Sequence, residues 1–336
     1  MTESLRVLLA RVIDYAGMFP PARLPLEEAA RAYAQLRADA ESWMLARFVC
    51  PVVRLEELAP LAAGLLSGGP PCPVAALGRG GDGRADLLAA LGDDLADIGR
   101  FNAQRCGAVV DQLEVRLPGR VLDTGADGVA RLVSAAGHLV DERAATRLLV
   151  AFEVAAAGAP PERFATAVEG IAGGGATRGP GSRWLPCLKI RCGGLDATAV
   201  PTAGEVATAL VGCRDRKLLL KATQGLHHPF PRLDPVLGVP VHGFLNLLVA
   251  CLLARAHGLD HSGVRTILED TDPAHFAFDD EEVSWQDSSA TMAQVAESRR
   301  FGVASFGSCS FDEPREELRA LGLLPGTPGE RPEVMQ

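Results

Sequence analysis

The chain has 336 residues, is 48% hydrophobic and 22% charged, and carries a formal net charge of −9 from 33 basic and 42 acidic side chains. Hydrophobicity near one half excludes a disordered chain, and the acidic balance argues against a nucleic-acid partner or an anionic membrane surface. The length suits one large α/β domain or two small ones.

The N-terminus carries Glu3, Arg6, Arg11 and Asp14 around a short apolar run. That run is too short for a secretory signal core, so a cytoplasmic location is expected. Short apolar, β-branched segments then alternate with Ala/Leu/Glu/Arg-rich stretches down the chain. The strands read at Arg47–Val53, Pro73–Leu77, Val109–Leu117, Leu148–Ala155, Leu185–Cys192, Lys217–Thr223 and Phe301–Phe306. Between them the helical pattern falls on Leu26–Ala38, Ala85–Ile98, Ala126–Leu139, Pro161–Ile171 and Thr202–Val211. Strand alternating with helix means βαβ units and a parallel sheet. Continuous apolar strands such as Leu218-Leu219-Leu220-Lys221-Ala222 fit a sheet covered on both faces. We therefore expect a (β/α)8 TIM barrel over 1–324 as a single domain, with a flexible Pro/Gly-rich tail at 325–336. Residues 226–298 are too long for an ordinary crossover and read as an elaboration over the barrel mouth: an apolar helix near His242–His257, then an acidic, irregular stretch at Glu269–Asp287.

Four successive strands place one charge between two apolar residues near their C-terminal ends: Leu113-Glu114-Val115, Phe152-Glu153-Val154, Leu188-Lys189-Ile190 and Leu220-Lys221-Ala222. Side chains alternate along a strand, so if the apolar neighbours face the outer helices, the four charges point inward in one layer. Two Glu and two Lys converging where barrels keep their active sites are costly unless paired or used. The same pattern also fits a structural ion-pair network.

These strands resemble deoxyribose-phosphate aldolase, a class I aldolase on a TIM barrel. Ile13-Asp14-Tyr15-Ala16 with Phe19-Pro20-Pro21-Ala22 is similar to that family's opening Ile-Asp-His-Thr motif and its following Pro, and Phe48-Val49-Cys50-Pro51 to its second strand. Leu113-Glu114-Val115 occupies the place of Ile-Asp-Met, with Glu for the functional Asp, and Phe152-Glu153 that of Ile-Leu-Glu. Lys189-Ile190-Arg191-Cys192-Gly193 resembles Lys-Thr-Ser-Thr-Gly, whose Lys forms the Schiff base. Lys221-Ala222-Thr223-Gln224-Gly225 resembles Lys-Ala-Ser-Gly-Gly, whose Lys assists it, and Arg300–Ser305 looks like the last strand. The family's Gly-Gly-Ile/Val-Arg after the second Lys, part of its phosphate site, is replaced by Gly225-Leu226-His227-His228. A non-phosphorylated carbonyl substrate is therefore expected.

An imine-forming lysine must attack unprotonated, whereas an ordinary one titrates near 10.4. The resemblance implies Lys189 as the nucleophile, with Lys221 as the neighbouring charge that eases its deprotonation. Glu114 is assigned as acid/base through water, and Glu153 as a partner that orients substrate or neutralises the lysines. Arg191, Arg116, His227, His228 and Ser305 are expected to bind substrate. The small-molecule substrate is the expected partner, together with self-association into a homo-oligomer. No cofactor and no metal are assigned.

His227, His228 and His242 with Glu153 or Asp234 offer an alternative, a metal-dependent lyase or hydrolase, although adjacent histidines diverge in most backbone conformations. A non-catalytic ligand-binding barrel is the third class. Gly78–Gly83 and Gly173–Gly175 lack the Lys-Ser/Thr or GxGxxG context of nucleotide sites and read as loops. The eight cysteines contain no CxxC and read as reduced thiols, with Cys309 a minor nucleophile candidate at the mouth.

Overall fold

The computed structural model describes residues 1–154, 161–194 and 196–326. Ala155, the expected end of one strand, and all but two residues of the expected tail lie outside these. Eight strands close into a barrel: β1 (Ile13–Tyr15), β2 (Leu45–Pro51), β3 (Cys72–Leu77), β4 (Ala108–Arg116), β5 (Leu148–Val154), β6 (Trp184–Arg191), β7 (Leu219–Thr223) and β8 (Val303–Ser308). Neighbours pair in parallel, and β8 closes on β1 through Ile13↔Phe306, Asp14↔Gly307 and Tyr15↔Ser308. The expected (β/α)8 barrel is what forms.

The outer faces of the strands meet the helices, which is why β3 and β7 are apolar almost throughout. Helices Gly125–Arg143 and Pro161–Gly175 pack closely because their contact is lined by glycine. A Cβ at Gly170 would lie 2.4 Å from Val129 Cβ, and one at Gly174 would lie 2.6 Å from Val133 Cβ. Gly173–Gly175, expected as a loop, are therefore the last turn of a helix whose glycines admit a neighbour. Helix Ala203–Asp215 starts at the capping box of Thr202 and Glu205.

The expected crossover at 226–298 forms, but only its first part reaches the mouth. Residues 227–241 fold back as an antiparallel pair, Arg232–Leu233 with Pro240–Val241. Helix Phe244–His257, buried from Phe244 to Ala254, then runs down the barrel flank, covered by helix His261–Glu269 and by a three-stranded antiparallel sheet. That sheet (Phe276–Phe278, Glu282–Trp285, Ser288–Thr291) is where the irregular stretch was expected. It ends against the N-terminal helix Glu3–Leu9, where Ser4 N donates to Asp279 O at 3.2 Å, away from the mouth. No helix among the described residues is long and apolar enough to cross a membrane.

Candidate active site

Along the inner surface Glu153, Lys189 and Lys221 lie directly across from one another in β5, β6 and β7, as the alternation demands. Glu114 pairs with Ala151, one pleat lower, yet its carboxylate reaches both lysines. Glu114 Oε2 contacts Lys189 Nζ, and Glu114 Oε1 lies 2.7 Å from Lys221 Nζ. Lys189 Nζ is also 2.6 Å from Glu153 Oε2, and Arg191 closes on Glu153 Oε1 at 2.7 Å. On the far side Lys221 Nζ donates to Asp14 Oδ2.

Asp14 completes this line and is absent from the residues assigned from sequence. It is fully buried, accepting from Ser305 Oγ at 2.6 Å and from the backbone N–H of Arg47 at 3.0 Å. Ile13-Asp14-Tyr15 carries the same one-charge-between-apolar-neighbours signature as the other four strands. The charges thus alternate in space as Arg47, Asp14, Lys221, Glu114, Lys189, Glu153 and Arg191, so each buried ion has an opposite neighbour. Gln112, one pleat below Glu114, steadies it by donating from Nε2 to Oε1 at 3.0 Å.

These contacts fix the ionisation states. Burial alone pushes Glu114 up, but Lys189 and Lys221 outweigh it and draw its carboxyl down to about 2. Glu153 is lowered in the same way, its burial overcome by Lys189 and Arg191. For Lys221 burial works downward, yet Asp14 and Glu114 leave it raised. The expected direct influence of one lysine on the other is therefore mediated: Glu114 stands between them.

The charged layer forms the floor of a cavity of about 510 Å³ at the C-terminal end of the barrel. Glu114, Glu153, Lys189, Lys221, Arg191, His227 and His228 all line it. Two expected substrate contacts do not. Arg116 is the exposed last residue of β4, and Ser305, level with Lys221 in register, is fully buried, its hydroxyl holding Asp14.

The histidines are tied to the helix that follows β8 (Asp312–Ala320). His227 Nδ1 is 2.8 Å from Glu313 Oε2, and His228 Nδ1 is 2.7 Å from Glu317 Oε1, the two glutamates being one helical turn apart. Burial lowers His228 against the pull of Glu317. His242 turns away, its Nε2 2.7 Å from Pro201 O, and Asp234 Oδ1 accepts from Val236 N and Leu237 N to hold the hairpin turn. The expected metal grouping of His227, His228 and His242 with Glu153 or Asp234 is thus not assembled. Among the described residues, those that could hold a metal are His227, Cys309 and Glu313, whose ligand atoms lie within 4.8 Å of one another, a nitrogen, sulfur and oxygen set suited to an open zinc site. The cysteines are all free and buried, and burial pushes the Cys309 thiol up.

The fold is similar to a solved structure, the tetrameric deoxyribose phosphate aldolase from Aeropyrum pernix, at 14% sequence identity and a TM-score of 0.51 over 95% of this chain and 98% of that one. No family model matches the chain, and no curated protein matches it. The likeness is one of fold, the closed eight-stranded parallel barrel.

Proposed function

We propose that the protein is a lyase of the aldolase type that acts on a small carbonyl compound through a Schiff base on Lys189. The observation that carries this reading is the placement of two buried lysines on adjacent strands at the floor of the mouth cavity, with Glu114 bridging them. Lys221, bound to Asp14 and Glu114 and only 1% exposed, is held as an ammonium and is a poor nucleophile. Lys189 is bonded to two carboxylates as well, Glu114 and Glu153; we assign the reaction to it because it is the more exposed of the two lysines, 5% against 1%, and either carboxylate is placed to take its proton.

In this scheme Lys189 Nζ passes a proton to Glu114 or Glu153 as the carbonyl arrives and then adds to the carbonyl carbon. The developing alkoxide is stabilised by the fixed charge of Lys221 and takes up a proton. Loss of water leaves the iminium; a carboxylate of the layer, Glu114 or Glu153, takes the proton of the substrate's β-hydroxyl as the carbon–carbon bond breaks, and the electron pair of that bond passes to the iminium to give an enamine and a released aldehyde. Protonation of the enamine carbon and hydrolysis return the free lysine. Arg191 keeps Glu153 ionised between turnovers. Glu114, drawn down to about 2, is a weak base, so it holds a transferred proton only in passing.

Borohydride reduction with a reactive aldehyde, followed by peptide mapping, tests the assignment. The adduct is expected on Lys189, to vanish in Lys189→Met and to persist at a lower rate in Lys221→Met. An adduct confined to Lys221 would overturn it. A second reading, metal-dependent lyase chemistry, is favoured by the His227, Cys309 and Glu313 cluster. Stoichiometric zinc in the purified protein, with activity lost to a chelator and restored by zinc, would support it. Assembly into a homo-oligomer is part of the first proposal, and sedimentation analysis tests it.

A further inference from the structure

The cavity over the lysines is divided by chemistry. Its β4–β7 strands carry the charged groups, while the strands β1–β3 supply an apolar wall, Phe19 and Pro21 after β1, Val49 of β2 and Leu77 of β3, to which the hairpin adds Leu237 and Val241 as apolar lining. Leu77 stands directly across from Glu114 in register, so the apolar wall begins beside the reacting lysine and continues outward. At the rim the hairpin tip leaves Val236 90% exposed and Leu233 65% exposed, extending the apolar surface beyond the cavity.

The cations at the mouth are meanwhile committed. Lys189, Lys221 and Arg191 are bonded to Glu114, Asp14 and Glu153, and His227 and His228 to Glu313 and Glu317. Asp234 adds a further negative charge to the lining. The loops after β6 and β7 close on each other, since a Cβ at Gly193 would lie 2.8 Å from Gly225 Cα. A phosphate dianion entering here meets carboxylates and paired cations. A hydrocarbon chain meets a wall that gains by being covered.

We infer that the apolar wall is the subsite for the body of the substrate, and that the substrate is an unphosphorylated aldehyde or ketone with an aliphatic chain or an aromatic ring, its carbonyl at Lys189. This substrate class rests on the proposed lysine chemistry for the position of the carbonyl, but the subsite itself can be tested without any reaction.

The deciding measurement is calorimetric binding of unreactive 1-alkanols, from butanol to octanol, to the full chain, with inorganic phosphate as the competing probe. Affinity is expected to rise about fourfold per methylene, the value of a buried CH₂. Leu237→Ser and Val241→Ser, checked for native circular dichroism, are expected to flatten the series, and phosphate is expected to leave it unchanged. An affinity independent of chain length, or displacement of the alkanols by millimolar phosphate, overturns the inference whatever the two variants do. Trapping of octanal and of glyceraldehyde 3-phosphate at Lys189 is run in parallel. A steep alkanol series without an adduct leaves the subsite standing and removes the imine. An adduct with a flat series does the reverse.

Discussion

Replacing Glu114 by Gln keeps the shape of the side chain and removes the charge that both lysines share. In the native protein this carboxyl is drawn from 4.5 to about 2 by Lys189 and Lys221. At about 1.36 kcal/mol per pH unit that corresponds to about 3 kcal/mol of stabilisation. An independent guide, the cost of removing one partner from a buried pair, is about 3–5 kcal/mol. The lower end applies, because Lys189 keeps Glu153 and Lys221 keeps Asp14. Against a total stability of about 5–15 kcal/mol, such a loss is large but survivable. Since the folded-state value is depressed, the stabilisation is complete above pH 4.5 and is lost as the pH falls toward 2. Urea titrations at pH 7, 5, 4 and 3 should show Glu114→Gln about 3 kcal/mol less stable than wild type at pH 7, with a shallower decline on acidification. The decline does not vanish, because Glu153 is lowered as well. Equal stability at pH 7 together with an unchanged acid slope would refute an ionised Glu114 bridge.

Gly225→Ala should destabilise by about 1–3 kcal/mol and weaken aldehyde binding, since φ is +70° and the new Cβ would lie 2.7 Å from Cys192 O; thermal melts and ligand titration check both. Native protein should react slowly with a disulfide reagent and first at Cys309, which lines the cavity, while the thiols of Cys50, Cys187 and Cys192 are pushed up to about 12 by burial. An octanol-saturated sample should protect Cys309, and rapid labelling of several thiols would contradict this account. Limited proteolysis within 160–180 should not yield two separately stable halves, because the barrel closes only when β8 meets β1; recovery of two folded fragments would count against a single domain.

The charged layer was legible because strand side chains alternate, so a lone charge between apolar neighbours must turn toward the barrel interior. Asp14 obeys the same rule, but β1 has only three residues and offers no period to count. Gln112 was hidden for another reason: it lies two residues before Glu114 on the same inner face, but a neutral amide gives no lone-charge signal, and the pairing of β3 with β4 skips from Val74↔Val110 to Ala75↔Gln112, a bulge at Asp111 immediately before it. Asp111 itself holds Arg47 in a two-bonded pair at 2.7 and 3.0 Å, a contact between strands that no local pattern announces.

The small antiparallel sheet escaped because its turn is silent in sequence. Trp285 pairs with Ser288 across Gln286 and Asp287, a two-residue hairpin loop of the kind that usually signals itself with Asn-Gly. Here Gln286 takes φ of +48° without a glycine, and the strand Ser288–Thr291 is polar enough to read as loop. Its only deeply buried side chain, Ala290, faces Val283 and helps cover helix Phe244–His257, whose buried length is otherwise unaccounted for in a barrel. The apolar wall of the cavity is a tertiary feature in the same sense. Phe19, Val49, Leu77 and Leu237 belong to four separate segments, and each alone looks like an ordinary core residue at the end of an element. Only closure of the barrel and the fold-back of 227–241 bring them into one cavity with the lysines that the alternation had already placed. The charged layer is therefore written locally in this chain, one charge per strand, while the apolar lining of the cavity is spread over strand ends and loops and becomes readable only in three dimensions.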